Sequence, residues 1–324
     1  MTAILFDNVG KKYGATNALD SVSFTVPKGQ MFGVIGPDGA GKTTTIRLAC
    51  GLIRPDRGRI EVQGRDPVRD HRAVTHAVVY LSQRFSLYGD LTIDENIAFF
   101  AEIHGVRDYR AARDRLLEMT QLSRFRARRA DRLSGGMKQK LALACTLVHE
   151  PEVLFLDEPT TGVDPVSRRE FWKLLSEFLA NGLTIVMTTP YLDEAERCAR
   201  VALLHEGRLL ALDNPAVLQA RLRGRIVEVV ADTPRPPVDL LASVEGVEDV
   251  QIFGERAHVL IRGERSEASV EKIVERIAAA LHERGIGVLS LRPVAATLED
   301  VFIGLITGGT DDGDSQPPRA VAHA

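Results

Sequence analysis

The chain has 324 residues, 44% hydrophobic and 26% charged, with a formal net charge of −3. This length suits two compact domains better than one, and the composition excludes a disordered chain or one built of membrane spans. Lys plus Arg number 41 against 44 Asp plus Glu, which excludes bulk positive charge as a means of holding nucleic acid.

From Ala3 the chain reads as strand and turn. "VSFTVPKGQMFGVIG" (Val22 to Gly36) adds short apolar strands broken by Pro27 and Gly29. Continuous apolar runs such as "MFGVIG" and "VLFLDEP" (Val153 to Pro159) suit a sheet buried on both faces. "TIDENIAFFAEIHGV" and "YRAARDRLLEMTQL" have helical spacing, so Leu91 to Ala130 reads as an inserted helical lobe, extended to about 91–150 by the helix that follows.

From residue 223 the pattern is strand, helix, strand, strand, helix, strand, the order of a small α+β ferredoxin-like domain. "TLEDVFIGLI" closes it as a helix near 307. Residues 308–324, "GGTDDGDSQPPRAVAHA", have the composition of a disordered tail.

No apolar run approaches the roughly 18 residues that span a bilayer. The N-terminus lacks a charged head followed by a long apolar stretch, so no signal peptide is expected. Cys50, Cys145 and Cys198 are far apart and form no CxxC pair, as in a reduced, cytosolic protein.

"GPDGAGKTT" (Gly36 to Thr44) has the spacing G-x-x-x-x-G-K-T, follows an apolar strand and precedes a helix-like segment. Gly36, Gly39 and Gly41 let backbone N–H groups curl round phosphate oxygens, and the helix N-terminus adds positive potential. Lys42 reaches the β- and γ-phosphates in such a P-loop, Thr43 offers a hydroxyl to Mg²⁺, and Thr44 completes the cradle. The apolar strand ending in Asp157 and Glu158 supplies the acidic partners, Asp157 for the metal and Glu158 for the attacking water. The expected ligands are therefore ATP and Mg²⁺.

"LSGGMKQKLALACTLVHEPEVLFLDEPTTGVDP" (Leu133 to Pro165) closely resembles the ATP-binding subunits of ABC transporters, and the resemblance covers roughly residues 3–215. It implies an α/β P-loop NTPase (ABC ATPase) fold in residues 1–222, and ATP hydrolysis coupled to transport. It also makes Ser134, Gly135 and Gly136 a signature turn that serves the ATP held by a second subunit. Tyr13 falls where the family stacks an aromatic ring on adenine. Gln83 falls at the Q-loop glutamine, which touches Mg²⁺ and links to the membrane subunit, and Asp164 at the dimer-communicating aspartate. The implied partners are a second ABC subunit and a separately encoded permease, with no nucleic acid, at the cytoplasmic face of the membrane. "PVAATLEDVFIGLITG" resembles the ending of subunits that export drugs, antibiotics or polysaccharides; in that subgroup residues 223–307 form an accessory domain that stabilises or regulates the dimer.

Two positions depart from the family pattern. Asp38 stands where Asn is commoner, and its carboxylate is expected to turn away from the phosphates. Pro190, 32 residues beyond Glu158, stands where the family has its switch histidine. Proline suits a first helical turn but brings neither a side-chain donor nor an N–H. Three readings follow: Tyr191 or Thr189 supplies the donor, a partner subunit supplies the competent site, or hydrolysis proceeds on Glu158, Lys42 and Mg²⁺ alone. Slow hydrolysis is the expectation.

The basic stretch "SRFRARRADR" (Ser123 to Arg132) reads as a solvated face of the lobe, and Trp172 as core. The histidines show no metal-ligand spacing. The rival function is a soluble ABC ATPase or an ATP-binding regulatory module not coupled to transport, but one P-loop and no sustained heptads speak for the transporter subunit.

Overall fold

The computed structural model describes residues 1–83, 87–222, 226–262 and 267–307. Two compact units divide between Asn214 and Pro215, ahead of the 222/223 boundary read from sequence. Arg223 to Arg225 and the tail from 308 lie outside the described residues.

The first unit opens with a hairpin, β1 (Thr2–Tyr13) and β2 (Thr16–Pro27), followed by β3 (Met31–Ile35), α1 (Lys42–Ala49) and β4 (Arg57–Val62). Next come α2 (His71–Ala77), β5 (Val78–Leu81), α3 (Ile93–Ile103), α4 (Arg110–Met119) and α5 (Gly135–Leu147). The unit ends with β6 (Val153–Asp157), α6 (Pro165–Ala180), β7 (Thr184–Thr189), α7 (Leu192–Ala195), β8 (Arg200–His205) and β9 (Arg208–Asp213). β2-β1-β4 form an antiparallel sheet; a second sheet has the order β5-β6-β7-β3-β8-β9, parallel except for the β8–β9 pair.

Every residue of β3, β6 and β7 is buried, as a parallel sheet covered on both faces requires. Phe6 stacks on Phe24 at 4.6 Å and Phe24 on Phe32 at 5.3 Å, so one aromatic column joins the two sheets through a common core. Parallel strands direct their carboxyl ends to one edge, where ligands of open α/β sheets bind. At that edge β3 delivers the P-loop, β6 delivers Asp157 and Glu158, and β7 delivers Pro190.

Helix starts are set by side chains. Thr92 and Glu95 form a reciprocal capping box on α3, and Asp164 caps α6 ahead of Pro165. The basic stretch beneath the lobe is largely spoken for: Arg126 pairs with Asp94 and Asp114 at 3.0 Å, and Arg124 and Arg128 both lie over the Phe125 ring. Trp172 is buried. All three cysteines are buried and free, their thiols pushed up by desolvation.

The second unit holds α8 (Pro215–Ala220), β10 (Ile226–Ala231), α9 (Val238–Ala242), β11 (Val247–Phe253), β12 (Arg256–Ile261), α10 (Glu267–Glu283), β13 (Val288–Val294) and α11 (Leu298–Thr307). Its sheet is antiparallel with the order β11-β12-β10-β13, the split pattern read from the sequence. Val227, Val229, Val259 and Ile261 pack with Ile273, Ile277 and Leu281 of α10 as a separate core.

Candidate functional site

The loop between β3 and α1 bends through Gly36, Gly39 and Gly41. At Gly41 the backbone has φ +104° and a Cβ would lie 2.5 Å from the Ala18 carbonyl, so only glycine fits. That contact also sets β2 along the loop, which makes the β1–β2 hairpin its neighbour. Tyr13, at the hairpin turn, is 48% exposed, with the Lys11 ammonium 5.6 Å from its ring centre.

Lys42 folds back over the loop. Its buried ammonium donates to the carbonyls of Gly36 (2.9 Å) and Pro37 (3.1 Å) and stands 3.3 Å from a Glu158 carboxylate oxygen. The Asp38 side chain is almost wholly exposed, with one oxygen 3.7 Å from the same ammonium. Thr44 follows Thr43 in the first turn of α1.

Asp157 is 4% exposed and accepts three hydroxyls. Thr43 donates at 2.9 Å, Tyr80 at 2.9 Å and Thr188 at 2.6 Å. Burial and the charge of Asp157 push the Tyr80 phenol well up, so it stays a neutral donor. Tyr80 and Thr188 have no signature in the sequence. They reach Asp157 through strand register, Asp157 lying opposite Thr188 across β6 and β7.

Glu158 adopts φ +50°, a strained conformation for a residue with a side chain. Its N–H donates to both the carbonyl and the hydroxyl of Thr188 at 3.1 Å. Gln83 donates to its second carboxylate oxygen at 3.1 Å. The structure thus joins Gln83 to Glu158 rather than to the Thr43–Asp157 pair.

Thr43 and Asp157 offer hard oxygen donors side by side, the donor chemistry Mg²⁺ takes, so the residues present fit that ion. Among the described residues no His, Cys, Asp and Glu cluster of three forms a metal centre by itself.

Ser134 is the N-cap of α5 and accepts the Met137 N–H at 3.3 Å, with Gly135 and Gly136 forming the first turn. Gly136 is pressed against α6: a Cβ there would lie 2.3 Å from the Ser167 hydroxyl. Asp164 accepts the N–H groups of Val166 and Ser167 at 3.1 and 3.0 Å. The hydrogen bond of the Ser167 side chain, with those of the two N–H groups, holds its carboxyl below the usual range.

Pro190 sits where a strand ends and a helix begins, as its sequence neighbourhood suggests, though just ahead of the first helical turn. It lies between the last residue of β7 and the N-cap Tyr191, and α7 has only four residues. Thr189 is fully buried, and its hydroxyl accepts the Tyr191 N–H at 3.0 Å while donating to Glu194 at 2.8 Å. Thr189 therefore cannot replace a histidine donor. Tyr191 lies against Arg168, its ring centre 5.6 Å from the guanidinium carbon.

Residues 19–161 match the family model described as ABC transporter. The chain is 38% identical over 310 residues to the probable multidrug ABC transporter ATP-binding protein YbhF of Escherichia coli (strain K12), covering 94% of this chain and 52% of that protein. It thus spans about half the length of that curated relative. It is also 38% identical over 307 residues to the Nod factor export ATP-binding protein I of Paraburkholderia xenovorans (strain LB400), covering 94% of this chain and 96% of that one. A solved structure of the ATP binding subunit of an ABC transporter superposes with a TM-score of 0.61 at 30% identity, over 68% of this chain and 92% of the other. With its P-loop, its Asp157–Thr43 pair and its capped signature helix, the chain belongs to the ABC transporter family of ATP-binding proteins.

Proposed function

We propose that the chain binds and hydrolyses ATP as the nucleotide-binding subunit of an exporter, working on a permease carried by another chain. One observation carries this reading: Lys42, Thr43, Asp157 and Glu158 converge at the mouth of the P-loop. Thr43 and Asp157 would hold Mg²⁺, joined by Gln83 once it leaves Glu158; when bound, the ion neutralises charge on the phosphate oxygens. Lys42 exchanges Glu158 for phosphate, and the released carboxylate polarises the attacking water. Tyr13 stacks on the adenine.

Position 190 contributes no donor, so turnover is slow and rests on electrostatic positioning by the remaining groups. Ser134, Gly135 and Gly136 serve the nucleotide of a second subunit, and Asp164 lies at that contact. The first unit, ending at Asn214, acts as the ATPase domain, and the second, from Pro215, as an accessory domain.

Among the described residues no helix is long and apolar enough to cross a membrane. The helical lobe exposes Tyr88 (45%) and Ile103 (61%), and Tyr88 packs edge-on against Phe99 at 4.5 Å. These exposed apolar side chains support docking at the cytoplasmic face of the membrane. The names of the relatives support export. A pull-down from detergent-solubilised membranes tests the assignment: a co-purifying hydrophobic subunit is expected, and ribosomes or DNA in its place would overturn it.

A further inference from the structure

Glu194 is 1% exposed on the four-residue α7, and the mechanism above leaves it unused. A buried carboxylate is costly unless it is hydrogen-bonded and paired. Its partners come from three separate elements. The Thr160 hydroxyl, two residues past Glu158, donates to one carboxylate oxygen. The Thr189 hydroxyl, one residue before Pro190, donates to the other at 2.8 Å. Arg168 of α6 places its Nε 3.8 Å from the first oxygen, and that Nε has no hydrogen-bond partner.

Strained backbone persists only where its surroundings over-determine it. The restraints on Glu158 lie on both sides of it. Before the side chain, its N–H is held by Thr188. Beyond it, the Pro159 carbonyl accepts the amide of Gln139 from α5, and Thr160 is tied to Glu194. Alternation along β7 completes the arrangement: Thr188 faces Asp157, while Thr189 faces Glu194. One strand end thus braces the metal-binding carboxylate on one side and a hidden carboxylate on the other. Arg168 follows Ser167, the residue pressed against Gly136 of the signature turn, so Glu194 also borders the helix that abuts the signature.

We propose that Glu194 is a positioning residue for hydrolysis, its buried carboxylate fixing the segments after Glu158 and before Pro190 so that Glu158 keeps its left-handed backbone and its aim. The proposal rests on the reading of Glu158 as the water-activating group. Glu194 does not touch the P-loop, so it acts on turnover and not on nucleotide capture.

The test compares kcat, KM for MgATP and the affinity for a fluorescent ATP analogue in the full-length wild type, Glu194→Gln, Thr160→Val, Thr160→Ser and Glu158→Gln. Glu194→Gln and Thr160→Val are each expected to lower kcat about 10- to 100-fold, the effect of a small displacement of a reacting group, with KM and analogue affinity changed by no more than about twofold. Thr160→Ser keeps the hydroxyl and wild-type kcat. The double variant Thr160→Val with Glu194→Gln is no worse than either single one, because both cut one network. Hydrogen exchange should quicken over residues 158–163 and stay unchanged over 36–44, a readout independent of activity that Thr160→Val also supplies if Glu194→Gln fails to fold.

Wild-type kcat in Glu194→Gln beside an inactive Glu158→Gln would overturn this proposal and leave the role of Glu158 standing. Nucleotide affinity falling in step with kcat would also overturn it, since the network would then only hold the fold together. Wild-type turnover in Glu158→Gln would remove the premise.

Discussion

The Lys42 ammonium lies 3.3 Å from a Glu158 carboxylate oxygen, so the residue proposed to hold phosphate is paired with the one proposed to activate water. Nucleotide must displace this ion pair to enter. Glu158→Gln removes the competitor and is expected to tighten ATP binding by on the order of 1 kcal/mol, about fivefold in Kd, while hydrolysis is lost. Titration with a fluorescent ATP analogue checks this; weaker binding in the variant would count against the competition.

Tyr80 donates a neutral hydrogen bond to buried Asp157. Tyr80→Phe deletes the donor and leaves the ring, with an expected loss of about 1 kcal/mol of stability. Asp157 keeps Thr43 and Thr188 as donors, so Mg²⁺-dependent nucleotide binding is expected to persist. Urea unfolding with and without MgATP measures both.

His149 stacks on His104 at 3.9 Å, and its ring is buried. Desolvation, with the neighbouring His104 and His76, lowers its pKa from 6.5 to about 4; desolvation and His76 lower that of His104 too. With the folded value below the unfolded one, the unfolded chain binds the proton first. Stability therefore falls as pH drops from about 6.5 towards 4, by roughly 3 kcal/mol for His149, and no further below that. Denaturation midpoints across this window should show the slope, and His149→Gln should flatten it.

Pro190→His returns a side-chain donor to the end of β7. Hydrolysis is expected to rise about tenfold or more, the scale on which one well-placed donor acts. Steady-state phosphate release checks it. No gain would mean that Lys42, Gln83 and the metal already supply what a histidine would add there.

Much of this site is legible in the sequence because its parts are local. The P-loop is one turn between an apolar strand and a helix, and Asp157–Glu158 end a strand whose apolar run announces its burial. The signature turn carries its own cap in Ser134. Tyr80, Thr188 and Glu194 are not legible in that way, since strand register brings Thr188 opposite Asp157 and only the fold brings Thr160 to Glu194. β7 is buried on both faces, so no apolar alternation marks which threonine faces Asp157. The His104–His149 stack joins two helix ends 45 positions apart, beyond the reach of any local pattern. In the second unit the alternation of strand-like and helix-like segments makes the split βαβ order readable.

The central claim is that this site splits ATP through Glu158 with no donor at position 190. Steady-state MgATP hydrolysis by the full-length protein, measured beside Glu158→Gln, tests it most directly. The expected result is slow, Mg²⁺-dependent phosphate release that Glu158→Gln reduces to background. Equal release from both proteins, or none from the wild type above that background, would contradict it.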